Sequence, residues 1–281
     1  MVFTEKATLN KYISQQRDNK QSVGLVPTMG ALHDGHLSLI QQSTKQNELT
    51  VVSVFVNPTQ FDNPNDLVKY PRTLDDDVKL IKSLKKHVIV YAPAPNDVYE
   101  DSVSSQNFDF DGLENEMEGE FRTGHFDGVG TVVKRLLEIV KPDYAYFGEK
   151  DFQQLQIVRK LVKKHKISVE IVGCPISRED SGLAMSSRNK RLTEEEKQKS
   201  AFIYKTLQQA KAKFGTESAN TVVEWVTKQF ERHSFLTLEY FKIAEVLTLK
   251  SVKRKTKNKK YRAFIAVYAN DVRLIDNLAL N

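Results

Sequence analysis

The segment "HDGH" at residues 33–36 places His33 and His36 three positions apart, between a strand-like run and a helical pattern. The run "VGLVP" at 23–27 predicts a buried strand, and a helix is expected from about residue 36 with Asp34 as its N-cap. A turn that opens a helix offers backbone N–H groups and a favourable dipole to an anion, and imidazoles there suit a phosphate. The alternative, which either histidine alone favours, is that His33 satisfies a loop and His36 starts a helix.

Two further segments supply amides and carboxylates. "NPTQF" at 57–61 contains Asn57 and Gln60, whose amides donate and accept hydrogen bonds and so suit a carboxylate beside hydroxyls. The alternative for this segment is a polar turn. "YPRTLDDD" at 70–77 ends in three consecutive aspartates, which would favour a helix dipole or help to hold a magnesium ion. Helix capping is the alternative for at least one of them.

Two basic segments complete the set of residues that could do chemistry. In "FGEKDFQQL" at 147–155, Lys150 would reach a phosphate as a point charge, and Gly148 lets backbone approach closely. In "AMSSRNKRL" at 184–192, two serine hydroxyls and the guanidinium of Arg188 suit a pyrophosphate. Each segment alone could be an ordinary hydrophilic turn. Together they describe a nucleoside triphosphate site with amides beside it for a second substrate.

The elements that must position these segments are short strands alternating with helices. Strands are predicted at 23–27, 49–56, 87–92, 143–148 and 167–173, and helices from about 36, at 75–86, 128–140 and 152–165. This alternation predicts an α/β fold whose parallel sheet is covered by helices on both faces. Ligands bind outside the carboxyl ends of such strands, which is where the segments above fall.

After about residue 174 the pattern changes to two helices followed by three strands. The helices are predicted at 194–213 and 217–232, and the strands at 238–246, 261–269 and 272–277. This order predicts a smaller C-terminal α+β domain with an antiparallel sheet. The chain is therefore expected to divide into domains at 1–175 and 176–281.

The formal charge of +6 depends on one run, "LKSVKRKTKNKKYR" at 249–262, without which the chain is slightly acidic. Such a run between strands predicts a solvated hairpin or loop, with an RNA-binding patch as the alternative. The N-terminus lacks the apolar core of a signal peptide, and no apolar run reaches the ~18 residues of a membrane span. A single cysteine, Cys174, excludes an internal disulfide. We expect a cytoplasmic protein with small-molecule partners and neither nucleic acid nor membrane among them.

The segments together resemble a known family. "HDGH" followed by Ser-Ser-Arg resembles the HIGH and KMSKS signatures of the nucleotidyltransferase superfamily, which includes class I aminoacyl-tRNA synthetases. In this order and at these spacings, "PTMGALHDGHLSLI", "FVNPTQF", "YPRT", "FGEKDFQQL" and "GLAMSSRN" are similar to the pantothenate synthetase (pantoate–β-alanine ligase) family. The resemblance runs over essentially the whole chain, although its motifs lie between about residues 27 and 189.

The resemblance implies a Rossmann-like N-terminal domain, a homodimer and a two-step reaction. ATP and (R)-pantoate would give pantoyl adenylate and pyrophosphate, and β-alanine would then displace AMP to give pantothenate. The family's Mg²⁺ is implied at Asp76 and Asp77. Gln60 and Gln154 are implied to bind pantoate, with Gln60 also near β-alanine.

The implied catalytic residues are His33, His36, Lys150 and Arg188. Because the pantoate carboxylate is ionised at neutral pH, the first step needs charges brought into line and stabilised, and no general base. The implied ATP-binding residues are Met29, Gly30, Ala31, Leu32, His33, Asp34, Gly35, His36, Gly148, Glu149, Lys150, Asp151, Ser177, Met185, Ser186, Ser187 and Arg188. Ser177 would lie beside the adenine, and residues 185–188 over the pyrophosphate.

Two alternatives of different kinds remain open. Another nucleotidyltransferase, such as a cytidylyltransferase or a tRNA synthetase-like protein, would need an element specific for CTP or tRNA. The chain shows no anticodon-binding extension, and Gln60 would lack a role in such a protein. A protein that binds RNA or a nucleotide through residues 249–262 would require strongly salt-dependent association.

Overall fold

The computed structural model describes residues 1–61, 64–99 and 102–281. The strands are β1 (Val2–Phe3), β2 (Val23–Thr28), β3 (Leu49–Val54), β4 (Val88–Tyr91), β5 (Tyr144–Gly148), β6 (Glu170–Cys174), β7 (Leu236–Glu245), β8 (Tyr261–Ala269) and β9 (Val272–Ala279). The α-helices are α1 (Lys6–Asp18), α2 (Asp34–Gln46), α3 (Pro64–Lys69), α4 (Leu74–Ser83), α5 (Pro95–Tyr99), α6 (Glu118–Phe121), α7 (His125–Val140), α8 (Phe152–His165), α9 (Glu194–Ser200), α10 (Phe202–Thr216) and α11 (Ala219–Glu231).

The first six strands form one parallel sheet in the order β1-β4-β3-β2-β5-β6. Successive residues of a strand face opposite sides of the sheet, and Leu25 and Val26 of β2 are both fully buried. Val26 lies in a cluster with Ile40 of α2 and Ile81 of α4. Helix α7 also contacts β2. The predicted parallel sheet, covered on both faces, is confirmed.

The strand order reverses between β2 and β5, which are neighbours although β3 and β4 lie between them in the chain. At such a reversal the connections leave in opposite directions and open a crevice outside the carboxyl ends of the two strands. The loops that leave this edge are the "HDGH" turn after β2 and the "GEKD" turn after β5. The topology therefore brings two of the predicted segments to one edge.

One predicted strand and one predicted helix have different bounds in the structure. Strand β6 begins at Glu170 and not at residue 167, because Lys166 has a left-handed backbone, φ +52°, in the turn that leaves α8. The helix predicted at 194–213 is interrupted at Ala201, whose ψ of −20° tightens the turn between α9 and α10. Strand β1 and helix α1 were not predicted.

The last three strands form an antiparallel sheet in the order β7-β8-β9, as predicted. Its apolar core includes Ile265 of β8, Leu207 of α10 and Val226 of α11. Residues 250–260 of the basic run form a mostly exposed connection between β7 and β8, as the solvated-hairpin interpretation expects, whereas Tyr261 and Arg262 belong to β8 and are buried. Within this connection, Lys255 Nζ lies 2.8 Å from the Gly215 carbonyl oxygen at the end of α10.

The chain divides into two compact units. The first contains Met1–Glu114, Glu118–Glu149 and Gln154–Pro175, and the second contains Asn115–Met117, Lys150–Gln153 and Ile176–Asn281. Within the described ranges, the helices are too short or too polar to cross a bilayer.

Candidate functional site

The turn between β2 and α2 has a backbone conformation that small residues favour. Gly30 has φ +81° and Ala31 has φ +51°, both in the left-handed region. A Cβ on Gly30 would lie 3.0 Å from a carboxylate oxygen of Asp77 and 3.0 Å from a side-chain carbon of Val54. A larger residue at position 30 would therefore be strained by the backbone conformation and would push against both neighbouring side chains.

His33 is the N-cap of α2, and its Nδ1 accepts a hydrogen bond from the Gly35 backbone N–H at 3.1 Å. This corrects two sequence predictions, because Asp34 is the first helical residue and not the cap, and the helix begins two residues earlier than expected. Since Nδ1 accepts, the ring proton lies on Nε2, which can donate to an anion. The rings of His33 and His36 have centroids 4.1 Å apart, so the helix N-terminus carries a pair of imidazoles.

Asp77, in the first turn of α4, holds the turn that precedes this pair. Its side chain is 2% exposed, Oδ2 accepts from the Ala31 N–H at 3.0 Å, and Oδ1 accepts from the Leu32 N–H at 2.7 Å. The sequence predicted backbone N–H groups turned toward an anion, whereas these two donate to a carboxylate of the protein. The anion-binding capacity of the turn therefore depends on the imidazoles and the helix dipole.

Asp76 and Asp77, the predicted magnesium ligands, do not form a ligand pair in the structure. Asp76 is exposed and lies 3.1 Å from Lys79 Nζ, while Asp77 is occupied by the main chain. No group of three or more His, Cys, Asp or Glu side chains among the described residues could hold a metal ion. The residues present do not fit a metal site built by the protein, and a magnesium ion would be held mainly by phosphate oxygens.

Gln60, in the 3₁₀ turn Pro58–Gln60 after β3, is held on both sides of its amide. Asn57 Nδ2 donates to Gln60 Oε1 at 3.2 Å, and Gln60 Nε2 lies 3.0 Å from Met29 Sδ. Asn57 is in turn fixed by the Tyr99 hydroxyl, whose pKa is raised by burial so that it stays protonated as a donor. Because a thioether is a weak acceptor, the Gln60 NH₂ group retains donor capacity for a carboxylate of a ligand.

The same turn lies against the start of α7, a support that the sequence analysis missed. His125 Nδ1 lies 2.8 Å from the Gln60 carbonyl oxygen, and since a carbonyl only accepts, the imidazole donates. A Cβ on Gly128 would lie 2.3 Å from the Thr59 carbonyl oxygen. The signal for this close approach was the glycine-rich stretch "GHFDGVG", where the sequence predicted only the start of a helix.

Gly148 ends β5 opposite Cys174 of β6, and Glu149–Asp151 forms a 3₁₀ turn into α8. Burial and then the charge of Glu149 raise the pKa of the Cys174 thiol to about 11, so it remains protonated and is not a nucleophile. Gln154, the second predicted pantoate residue, is half-buried in the first turn of α8.

Lys150 and Asp151 belong to the second unit, with Lys150 Nζ 3.5 Å from Asp151 Oδ1. The stretch from Ser177 to Met185, in the same unit, forms a small hairpin that Gly182 closes with φ +92°. The Met185 N–H donates to the Ser177 carbonyl oxygen at 3.0 Å, so the two residues are neighbours across the hairpin. Directly after it, Ser186 Oγ accepts from the Arg188 N–H at 3.3 Å and caps a 3₁₀ helix.

The predicted site residues fall in both units, and each group is described within its own unit. In the first unit, residues 29–36, Gln60, Gly148 and Glu149 leave the carboxyl edge of the parallel sheet, and Met29 contacts Gln60. In the second unit are Lys150, Asp151, Ser177, Met185, Ser186, Ser187 and Arg188. Asp77 supports the first group from behind the turn, and Asp76 takes no part in that support.

Comparison with known proteins gives consistent matches. The family model "Pantoate-beta-alanine ligase" matches residues 1–279. Pantothenate synthetase from Flavobacterium psychrophilum is 59% identical over 280 residues, covering 100% of this chain and 99% of that protein. The crystal structure of pantothenate synthetase from Thermus thermophilus has a TM-score of 0.89 at 35% identity, covering 99% of both chains. That of pantoate–β-alanine ligase from Francisella tularensis, complexed with "Beta-gamma ATP" and β-alanine, has a TM-score of 0.83 at 36% identity, covering 100% of this chain and 97% of that one.

Proposed function

The chain belongs to the pantoate–β-alanine ligase family. From this premise we propose which residues bind ATP and which bind pantoate and β-alanine during the ligation. In the first step a carboxylate oxygen of pantoate attacks the α-phosphorus of ATP, and pyrophosphate leaves. In the second step the amine of β-alanine attacks the acyl carbon of pantoyl adenylate, loses a proton, and AMP leaves with the electrons of the broken C–O bond. The products are pantothenate, AMP and pyrophosphate.

The observation that carries this route is the imidazole pair at the N-terminus of α2. His33 Nε2 is directed to donate because Nδ1 is used by Gly35, and the ring of His36 lies 4.1 Å away, centroid to centroid. Donors fixed before the substrate arrives stabilise charge that develops on a phosphate without reorganising. We assign both histidines to the phosphates of ATP, together with the other residues of 29–36 that shape the turn.

The Gln60 amide is assigned to pantoate. Its Oε1 is occupied by Asn57, which leaves the NH₂ group, beside the weak acceptor Met29 Sδ, to donate to the pantoate carboxylate. A donor to the attacking carboxylate orients it, and orientation is the main need of a reaction whose nucleophile is already ionised. Gln154 is assigned to the pantoate hydroxyls, and Gln60 is also assigned to β-alanine.

The remaining assignments concern ATP. Lys150 supplies a positive charge to the α-phosphate, and Arg188 supplies a guanidinium fork to the pyrophosphate. Gly148, Glu149 and Asp151 are assigned to ribose and phosphate, Ser177 to the adenine, and Met185, Ser186 and Ser187 to the pyrophosphate.

Magnesium, the oligomer and the compartment complete the proposal. Mg²⁺ would arrive on the ATP phosphates, which supply most of its ligands, and it would offset their charge. Asp76 and Asp77 do not form a ligand pair for it, since Asp76 pairs with Lys79 and Asp77 bonds the main chain. We propose a homodimer because the chain resembles this family, and a cytoplasmic location because a chain with one cysteine forms no internal disulfide.

Isotope exchange tests the route. Labelled pyrophosphate should enter ATP when pantoate and Mg²⁺ are present and β-alanine is absent, because the first step is reversible and independent of the amine. His36→Ala should depress this exchange, while His87→Ala, which removes an exposed imidazole bonded to Tyr12, should not. Exchange that demands β-alanine, or ADP as the product, would refute the adenylate.

A further inference from the structure

Strand β9 lies outside the segments in which the sequence indicated chemistry. One of its side chains nevertheless contacts the "GEKD" turn. Asn277 is 1% exposed, and its Nδ2 donates to the Lys150 carbonyl oxygen at 2.8 Å. The two residues are 127 positions apart and both belong to the second unit. The backbone of Lys150 is therefore bonded to the last strand of the chain.

The orientation of the Asn277 amide is fixed by its other partner. Arg262 Nη1 donates to Asn277 Oδ1, and a guanidinium has no acceptor, so the oxygen must face Arg262 and the NH₂ group must face Lys150. Arg262 is 8% exposed, and its guanidinium lies 4.0 Å from the centroid of the Phe152 ring. Strands β8 and β9 thus contact both Lys150 and the residue two positions after it.

Asp276 anchors the strand at the same place. Its carboxylate accepts from Arg178 Nη1 at 2.6 Å and from Nη2 at 2.9 Å, and it also accepts from the Asn277 N–H at 2.7 Å. Arg178 Nη1 donates in addition to the Gly182 carbonyl oxygen at 3.0 Å. The buried ion pair between Asp276 and Arg178 therefore holds the backbone of Asn277. The point from which the Asn277 side chain extends is fixed as a result.

We infer that Asn277 is a positioning residue for Lys150: its buried amide, oriented by Arg262, sets the backbone from which the Lys150 ammonium reaches the α-phosphate. The inference rests on the proposed function, in which Lys150 contacts ATP. Asn277 acts through Lys150, because its buried amide is bonded to protein groups through both its oxygen and its nitrogen. A backbone displaced by a fraction of an ångström moves a charge that has to meet one phosphate oxygen, and rates respond steeply to such displacements.

The test uses the full-length enzyme and the variant Asn277→Asp. The carboxylate keeps the shape of the amide and its bond from Arg262 but presents an oxygen to the Lys150 carbonyl. We expect adenylate formation to slow about tenfold while the KM for pantoate stays within about twofold. Asn281→Asp is the matched control, since Asn281 bonds Tyr261 and Lys259 at the edge of the same sheet and should leave the rate unchanged.

A double-mutant cycle distinguishes positioning from general support of the fold. In the Lys150→Ala background, Asn277→Asp should change the rate of adenylate formation less than about twofold, because the side chain that it positions is gone. An undiminished effect in that background, or a wild-type rate in the single variant, would overturn the inference. If Asn277→Asp does not fold, Asn277→Ser, whose hydroxyl is too short to reach Lys150, carries the same expectations. A wild-type rate in Lys150→Ala alone would instead refute the assignment of Lys150 in the proposed function.

Discussion

The two units hold their functional side chains in different ways. In the first unit, most of the support comes from within the recognisable segments: Asp77 bonds Ala31 and Leu32, and Asn57 bonds Gln60, while His125 of α7 adds one bond from outside them. In the second unit, the support comes from residues outside those segments. Asn277 bonds the Lys150 carbonyl, and Asp276 bonds Arg178 at the base of the hairpin.

The difference follows from topology. The loops at the carboxyl edge of a parallel sheet converge, so their side chains can reach one another and each motif can contain its own support. The turn at Glu149–Asp151, which also leaves this edge, is only three residues long. Such a turn has to be fixed by another element, here a strand of the antiparallel sheet. Short motifs therefore contain residues of the first kind of support, such as Asp77, but not residues of the second, such as Asn277.

The largest effect is expected from removing the side chain of Lys150, whose backbone carbonyl is bonded by Asn277. Lys150→Ala should leave the fold intact and slow adenylate formation by about two to three decades, roughly 3–4 kcal/mol, as for the loss of one preorganised donor. Lys160→Ala, which removes a lysine of α8 that pairs with Asp111, is the control and should keep its rate. Rapid-quench measurement of pantoyl adenylate decides the matter, and a folded Lys150→Ala enzyme with near-normal rate would contradict the assignment.

Asp77→Asn tests the self-supporting arrangement of the first unit. The amide accepts only through one atom, so one of the N–H groups of Ala31 and Leu32 loses its partner, at a cost of about 1–3 kcal/mol in stability. We expect a lower Tm and adenylate formation about tenfold slower, as the imidazole pair is displaced. Asp76→Asn, one position earlier and exposed, should change neither by a measurable amount. If Asp77→Asn and Asp76→Asn instead needed higher Mg²⁺ concentrations for activity by the same factor, the prediction that these two residues bind magnesium would be restored.

Gly128→Ala tests the support behind Gln60. The added methyl group would meet the Thr59 carbonyl oxygen at 2.3 Å, which is backbone and has to move, so overpacking should cost about 1–3 kcal/mol. The KM for pantoate should rise several-fold while ATP binding, measured by calorimetry, is retained. Gly215→Ala in α10, where a Cβ meets nothing within 4 Å, should be neutral or slightly stabilising. Loss of ATP binding would place Gln60 in the nucleotide site instead.

The smallest effect is expected from the ion pairs that Lys160 and Lys164 form with Asp109 and Asp111. Lys164 Nζ lies 2.9 Å from Asp109 Oδ2. Hydrogen bonds from Lys160 and from Lys164 lower the pKa of Asp111 to about 2. A carboxyl whose folded pKa is below its ordinary value of 3.8 stabilises the fold above about pH 4 and ceases to do so as the pH falls toward 2. Lys164→Gln should lower the Tm by about 1 °C at pH 7 and by less at pH 2 or in high salt. A difference in Tm that grows toward pH 2 would reverse the sign of this argument.

The sequence predicted the fold well where local pattern and tertiary structure agree. The runs at 23–27 and 49–56 became β2 and β3 because fully buried strands read as apolar, β-branched stretches. The cap of α2 was mispredicted because aspartate is the commoner capping residue, whereas the imidazole of His33 reached the Gly35 N–H from an extended backbone. The role of Asp77 was also hidden, since an acidic residue near a helix start looks the same whether it faces solvent, a metal or a turn.

The sequence by itself determined the order of the strands and helices, the segments that carry chemistry and the family to which they belong, because periodicity and motif spacing are local properties of the chain. Only the tertiary structure decided what supports those segments. Contacts such as those of His125 with Gln60 and Asn277 with Lys150 join residues 65 and 127 positions apart. Such contacts depend on how strands pair and helices pack, and even the glycine-rich stretch around His125, which signals a close approach, does not identify the partner.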